Sequence, residues 1–405
     1  MTFDDFEIDP RCLSVLHAQS IETPTPVQEQ TIPVGLTGKD VIGVAQTGTG
    51  KTLAFTLPSL TRLAQGAMKK NMMLVLAPTR ELCQQVENVV SDVGRPLKIN
   101  SVAIYGGVGM QPQIDKLRSG CQVIVATPGR LLDHMSRGNV RFDDLEILVM
   151  DEADRMLDMG FLPDIKRILA KLPKERQTLM FSATFPDEIT RLAKDMMNDA
   201  ERISVGAISR PVDTVEQRVF PVWPEEKLGV LIELLETEDI TSAVIFLRTK
   251  DRTERVSRTL HKRGINAATI HGDRSQSQRQ QALDGFRSGK YRFLVATDVA
   301  ARGLDIEGVS HVINYDIPPT ADDYLHRVGR TARASAEGDA ITFVCPNEVS
   351  FLEAVERALE KNIPRVERTN GPSILSLYHA PGAKKGAKAK SRRGGRRGGR
   401  MLRRR

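Results

Sequence analysis

Cysteine, tryptophan and long apolar runs are all scarce in this chain. The four cysteines, Cys12, Cys83, Cys121 and Cys345, are scattered over 405 residues without the spacing of a metal site or a redox pair. Each is therefore expected to act as a small apolar filler. No apolar run approaches the roughly 18 residues of a membrane span, so no membrane partner is expected. The opening residues MTFDDFEIDP hold neither a basic segment nor an apolar run, so no secretory signal is expected and a cytoplasmic protein follows. Acid is absent from the far end. Lys384 to Arg405 carry 12 Lys or Arg and no Asp or Glu, so the net +7 hides a body of 46 basic against 51 acidic residues, or −5. The tail KKGAKAKSRRGGRRGGRMLRRR has almost nothing to bury and repels itself, so disorder is expected. A solubilising tail is the plain reading; arginine alternating with glycine points further, to nucleic-acid contact.

What is present is an α/β rhythm, repeated twice. A hydrophobic content of 40% over this length supports two cores. The first series of apolar runs is Val41 to Ala45, Met72 to Ala77, Val102 to Tyr105, Val123 to Ala126, Ile147 to Met150 and Thr178 to Phe181. Helical patterns separate most of them, which predicts a doubly wound parallel sheet. A second series follows at Ala243 to Leu247, Ala267 to Ile270, Phe293 to Ala296, His311 to Asn314 and Ala340 to Val344. The small-residue stretch VGAISRPVDT lies between them and reads as a linker. The expected division is a first domain at 1–204, a linker at 205–214, a second domain at 215–368 and a basic tail at 369–405. A helix is expected over Glu353 to Lys361, and Asn370 to Pro381 reads as a loop.

The stretch AQTGTGKT, Ala45 to Thr52, sits between an apolar strand and a helical pattern. Gly48 and Gly50 let the backbone curl so that N–H groups, including those of Thr47 and Thr49, point at phosphate oxygens, and the helix start near Lys51 adds its positive end. Lys51 then reaches the β- and γ-phosphates while the Thr52 hydroxyl holds Mg²⁺. Ala45 stands where the first glycine of the general pattern is usual. The bland reading is a glycine-rich turn with a chance Lys-Thr. No glycine follows the strand Ala243 to Leu247 of the second series, so one nucleotide is expected rather than two.

Asp151-Glu152-Ala153-Asp154 follow the hydrophobic strand Ile147 to Met150. Asp151 suits Mg²⁺ and Glu152 suits the water that attacks the γ-phosphate. Alone, each acid reads as a helix cap; in the same domain as Lys51 and Thr52, they read as catalytic.

With those four residues quoted, the chain resembles the DEAD-box ATP-dependent RNA helicases, of a short bacterial type, from roughly Phe3 to Gly338. The resemblance implies two tandem RecA-like domains. Thr23 to Gln28 resembles the family's adenine-reading element, with Phe3 as its upstream aromatic and Gln28 as the amide that pairs with adenine. Ile21 replaces a usual aromatic there, which weakens stacking. Pro78-Thr79-Arg80, Gly106-Gly107 and Thr127-Pro128-Gly129-Arg130 resemble first-domain RNA contacts, with Arg80 and Arg130 suited to phosphates, glycines such as Gly107 to close approach, and Thr127 to donating a hydroxyl. Caps and turns are the plainer reading of the same residues. Ser182-Ala183-Thr184 resembles the coupling motif, its hydroxyls placed to bond Asp154.

In the second domain the resemblance makes Arg279 a phosphate contact, Thr297 an RNA ligand and Asp305 a ribose ligand of ATP. His326 to Arg333 resembles the element carrying arginine fingers at Arg330 and Arg333, with His326 in interdomain coupling; a charged helix face is the bland reading. Together these imply RNA-stimulated ATP hydrolysis with Mg²⁺ and local, non-processive strand separation, or remodelling of RNA–protein complexes, on closure of two domains. A monomer is expected; ribosomal and RNA-decay complexes are both open as partners, and the sequence encodes neither. The competing readings are an ATP-gated RNA clamp or chaperone, and a DNA helicase, since phosphate contacts do not distinguish the polymers.

Overall fold

The computed structural model of the chain describes residues 1–45, 48–205, 215–301, 306, 308–331 and 338–366. Among the described residues, thirteen strands form two wholly parallel sheets, as the alternating pattern predicts. The first contains β1 (Val41–Val44), β2 (Met73–Leu76), β3 (Ser101–Ile104), β4 (Val123–Ala126), β5 (Ile147–Met150), β6 (Gln177–Ser182) and β7 (Glu201–Ser204), in the order β3-β4-β2-β5-β6-β1-β7. The second contains β8 (Val215–Pro221), β9 (Ala243–Leu247), β10 (Ala267–Ile270), β11 (Phe293–Thr297), β12 (His311–Asn314) and β13 (Gly338–Val344), in the order β10-β11-β9-β12-β13-β8.

The central strands β2, β4, β5, β6, β9, β11 and β12 are buried along their whole length, because helices cover both faces. Two strands had no apolar run to reveal them. In β7 only Ile203 is buried, and the first five residues of β8 alternate buried Val215, Gln217 and Val219 with more exposed Glu216 and Arg218 before Phe220 and Pro221 are buried too. Both are edge strands, which need not be buried along their whole length. The outer side of β8 meets the segment near Arg365, with Val219 N–H donating to Pro364 O and Val366 N–H to Val219 O, each at 2.8 Å.

The last described helix runs Val349–Leu359, starting four residues before the expected Glu353 and ending two before Lys361. All four cysteines are buried and free, as fillers would be. None of the described helices is long and apolar enough to cross a membrane. The linker residues 206–214 and the tail from 367 onward, including the loop expected over Asn370 to Pro381, lie outside the described residues.

Candidate functional site

Strand order divides the carboxyl edge of the first sheet into two halves. The loops after β5, β6 and β1 lie side by side, as do those after β3, β4 and β2. The first group carries Asp151 to Asp154, Ser182 to Thr184 and the glycine loop; the second carries Gly106-Gly107, Thr127 and Pro78 to Arg80.

At the glycine loop, Gly48 and Gly50 take φ of +81° and +90°, where a side chain is strained, and Gly50 caps the helix Lys51–Gln65. A Cβ on Gly50 would lie 2.5 Å from Gln28 Nε2. Lys51 and Asp151 are 6% and 2% exposed, with Lys51 Nζ 3.8 Å from Asp151 Oδ1. Burial pushes the Asp151 carboxyl up, against the opposing pull of Lys51. Lys51 Nζ and Asp151 Oδ1 are buried without a hydrogen-bond partner. Buried polar atoms left in that state are costly. A triphosphate and a hydrated cation satisfy them, so the residues fit both groups. Asp151 and Thr52, in the first turn of the helix, would hold Mg²⁺, which neutralises phosphate charge. Among the described residues no three His, Cys, Asp or Glu side chains form a metal cage.

Glu152 adopts φ +52°, a left-handed conformation that costs a non-glycine residue about 1–2 kcal/mol, where it caps the short helix Ala153–Asp158. Its carboxylate is buried, with Arg155 Nε 3.6 Å from its Oε2, and the buried Arg155 Nη1 and Nη2 have no hydrogen-bond partner. Nothing in the sequence marked Arg155, which looks there like an ordinary helix charge. Asp154 Oδ2 accepts from Ala183 N, Thr184 N and Thr184 Oγ1 at 2.9–3.1 Å. Ser182 Oγ accepts from Asp154 N at 3.1 Å and donates to Thr184 O at 2.8 Å. The bonding expected between Asp154 and Thr184 is therefore present.

One adenine-site expectation needs correction. Phe3 is 1% exposed and packs in the first core, edge-on to Phe6, so its ring is a core element rather than a face offered to a base. Ile21, the aromatic's replacement, packs against the same core. Gln28 is buried as well. Its Oε1 accepts from Thr25 N at 2.8 Å and its Nε2 donates to Gly50 O at 3.0 Å, while Thr25 Oγ1 donates to Thr49 O at 2.7 Å. Gln28 thus ties the helix Pro26–Leu36 to the phosphate loop, leaving one amide hydrogen and one lone pair.

On the other half of the edge, Thr79 caps the helix Arg80–Gly94, its Oγ1 accepting from Leu82 N at 3.2 Å, with Pro78 buried just before it. Arg80 fills the space beneath Gly107, whose φ is +81° and whose Cβ would fall 1.9 Å from Arg80 Nη1. Arg130 donates from both Nη atoms to Val108 O at 3.2 Å. Thr127, largely buried, begins the helix Pro128–Ser136. These residues converge, and caps and turns are part of what they do.

From the second sheet, Arg279 on the helix Gln276–Arg287 lies 2.8 Å from Glu81 Oε1 of the first and donates to Ala300 O at 3.2 Å. Its expected phosphate contact is thus already shared with a carboxylate. Thr297 closes β11 and is largely buried. On the helix Ala321–Val328, His326 is held below its ordinary pKa by burial and then by Arg155, with Glu152 and Asp154 opposing, which sets it against the first domain's acids; Arg330 lowers it further. Arg327 braces that helix, donating to both Asp298 oxygens at 2.6 Å and to Asn314 Oδ1 and Asp316 O at 3.0 and 2.6 Å. Thr47, Asp305 and Arg333 lie outside the described residues.

A phosphate loop and strand-end carboxylates on one sheet, with a basic helix of a second, loop-free sheet set against them, define a two-domain P-loop nucleoside triphosphatase. Residues 25–192 match the family model for DEAD/DEAH box helicases and residues 226–335 that for the helicase conserved C-terminal domain. The ATP-dependent RNA helicase CshA of Listeria monocytogenes is 46% identical over 361 residues, covering 89% of this chain and 69% of its own. CshA of Geobacillus kaustophilus is 43% identical over 368 residues, 90% of this chain and 78% of its own. Among solved structures, Saccharomyces cerevisiae Dbp5 bound to RNA and ADP BeF3 superposes with a TM-score of 0.80 at 35% identity, over 90% of this chain and 95% of that one. Mss116p bound to ssRNA and AMP-PNP gives 0.82 at 29% identity, over 91% and 80%. The chain belongs to the DEAD-box family of ATP-dependent RNA helicases, with two RecA-type domains.

Proposed function

We propose that the chain performs local, non-processive RNA duplex opening or remodelling of RNA–protein complexes, with ATP hydrolysis gated by closure of its two domains on RNA. One observation carries this: Lys51 and Asp151 hold buried polar atoms without hydrogen-bond partners on the first sheet, and the helix of the second sheet that carries His326 faces the neighbouring acids. Lys51 and the loop N–H groups bind the phosphates, Asp151 and Thr52 hold Mg²⁺, and Glu152 orients the water. Arg330, with Arg333, neutralises charge on the transferred phosphoryl. Phosphate contacts by Arg80, Arg130 and Arg279, a hydroxyl from Thr127 or Thr297, and close approach at Gly107 hold the RNA backbone. Asp154, Ser182, Thr184 and His326 couple the two sites. Gln28 pairs with adenine through its remaining hydrogen and lone pair, and Asp305 holds the ribose.

By linkage, RNA that favours closure must raise ATP affinity by the same factor as ATP raises RNA affinity. We divide the chain at residues 1–204, 205–214, 215–368 and 369–405, and place it as a cytoplasmic monomer acting within ribosomal or RNA-decay complexes. The basic tail tethers structured RNA without reading sequence; deleting Lys384 to Arg405 should flatten the salt dependence by about 0.7 in log–log slope for each phosphate that the tail neutralises. Steady-state ATPase rates with no polymer, RNA oligonucleotides and matched DNA oligonucleotides test the central claim. RNA is expected to raise the rate and DNA to leave it low; a rate indifferent to RNA would sink the coupling.

A further inference from the structure

His134 is wholly buried, yet it is not an isolated core histidine. Its Nε2 lies 3.0 Å from Gln113 Oε1, Gln113 Nε2 donates to Tyr105 O at 2.9 Å, and Asn139 Nδ2 lies 3.3 Å from His134 Nδ1. The direction of this chain is fixed at one end. A carbonyl oxygen only accepts, so the Gln113 amide nitrogen must face Tyr105 O. Gln113 Oε1 then accepts from His134, Nε2 carries the imidazole proton, and Nδ1 accepts from Asn139. Both ring nitrogens are engaged only in the neutral form. Burial holds His134 below its ordinary pKa, Arg130 and Arg137 push the same way, and Asp133 opposes them.

What the chain connects gives it meaning. Tyr105 immediately precedes Gly106-Gly107, in the loop between β3 and the helix Met110–Ser119, which carries Gln113. His134 lies one turn beyond Arg130 on the helix Pro128–Ser136, so both face the same way. Arg130 holds that loop directly at Val108 O; His134 holds it through Gln113 at Tyr105 O. Gln84 Nε2, from a third helix, donates to the Tyr105 hydroxyl at 2.7 Å. The loop is therefore pinned at two carbonyls, three residues apart, from one helix face.

We propose that His134 and Gln113 are positioning residues for RNA binding, setting the spacing between the Gly106-Gly107 loop and the Thr127–Arg130 helix start. The inference rests on the reading of those two elements as RNA contacts. Neither His134 nor Gln113 touches the polymer; they hold two distant segments in the register that one RNA backbone requires.

The full chain carrying His134→Leu loses the donor and keeps an apolar side chain in the space. The RNA concentration for half-maximal ATPase should rise about tenfold, the loss expected when a buried acceptor is stranded. The rate at saturating RNA and ATP affinity without RNA should stay within about twofold, because the ATP site lies on the other half of the sheet edge. His134→Gln, whose amide can donate to Gln113 Oε1, should restore RNA affinity to within about threefold. If His134→Leu does not fold, Gln113→Met breaks the same chain and is measured instead, with the same expected loss. Unchanged RNA dependence in the folded variant, or no rescue by glutamine, overturns the proposal. Arg80→Ala separates the two levels: if it weakens RNA binding while His134→Leu does not, the positioning role fails and the RNA reading stands. If Arg80→Ala has no effect, the RNA reading fails.

Discussion

Arg279 of the second domain lies 2.8 Å from Glu81 of the first, one residue beyond Arg80. The pair joins two surfaces read as RNA contacts, so charge on one domain is answered by charge on the other before any polymer is present. Burial lowers the Arg279 pKa and Glu81 opposes the shift, so the guanidinium depends on its partner. A double-mutant cycle on Glu81→Gln and Arg279→Gln, read as half-saturating RNA in the ATPase assay, should show coupling of about 1 kcal/mol, in the range for contacting charged residues. Additive effects would mean that the working enzyme does not form the pair.

Glu152 is held in a strained conformation beside Arg155, the geometry of a side chain fixed for a task. Glu152→Gln keeps the shape and removes the charge. ATP and RNA binding should persist while turnover falls by about 10² or more, the scale of general-base loss. Duplex opening by this variant without multiple turnover separates a helicase from a clamp: a clamp keeps its biological activity, and a helicase that must recycle loses it.

Gly107→Ala should be more damaging than its size implies, because φ at Gly107 is +81°, where a side chain is strained whatever the space, and the added methyl also displaces the flexible end of Arg80. RNA affinity is expected to fall about tenfold, corresponding to about 1.4 kcal/mol of binding energy, with ATP affinity unmoved. Gly50→Ala should show the reverse selectivity, since its methyl meets Gln28 under the phosphate loop. Filter binding of labelled RNA and of labelled ATP distinguishes the two patterns.

Acid should weaken the fold in a window set by histidine. His134, His311 and His326 are all held below their ordinary values, burial being the largest cause in each. The unfolded chain takes up these protons near pH 6.5 and the folded chain resists, so stability is full above that pH and is lost as pH falls. Each histidine steepens the loss by up to about 1.4 kcal/mol per pH unit until its folded pKa is reached. Urea unfolding at pH 7.5, 6.5 and 5.5 should show falling midpoints, with His134→Gln flattening the first-domain transition. Midpoints that do not move over this range would exclude the mechanism.

Much of the phosphate-loop half was legible because its geometry is local. Gly48, Gly50 and Lys51 sit within four positions, and positive φ, the helix start and the ammonium group follow from those residues alone. The acids Asp151 to Asp154 were readable because a fully buried strand must end before them. The edge strands β7 and β8 escaped because β7 buries only Ile203 and β8 opens with buried residues alternating with Glu216 and Arg218, so neither begins as an apolar run. Phe3 and Gln28 were identified by position, but their burial was not foreseeable: Phe3 packs into the first core beside Phe6, and Gln28 is covered because the helix Pro26–Leu36 lies on the phosphate loop.

The sequence by itself determined the two-fold α/β rhythm, the single phosphate loop and the run of carboxylates that follows β5, since each depends on neighbours a few residues away. Only the tertiary structure decided that Arg80 lies under Gly107, that His134 reaches Tyr105 through Gln113, and that Glu81 meets Arg279. Those contacts join segments brought together by strand order and by the meeting of two domains, which no short stretch of sequence spells out.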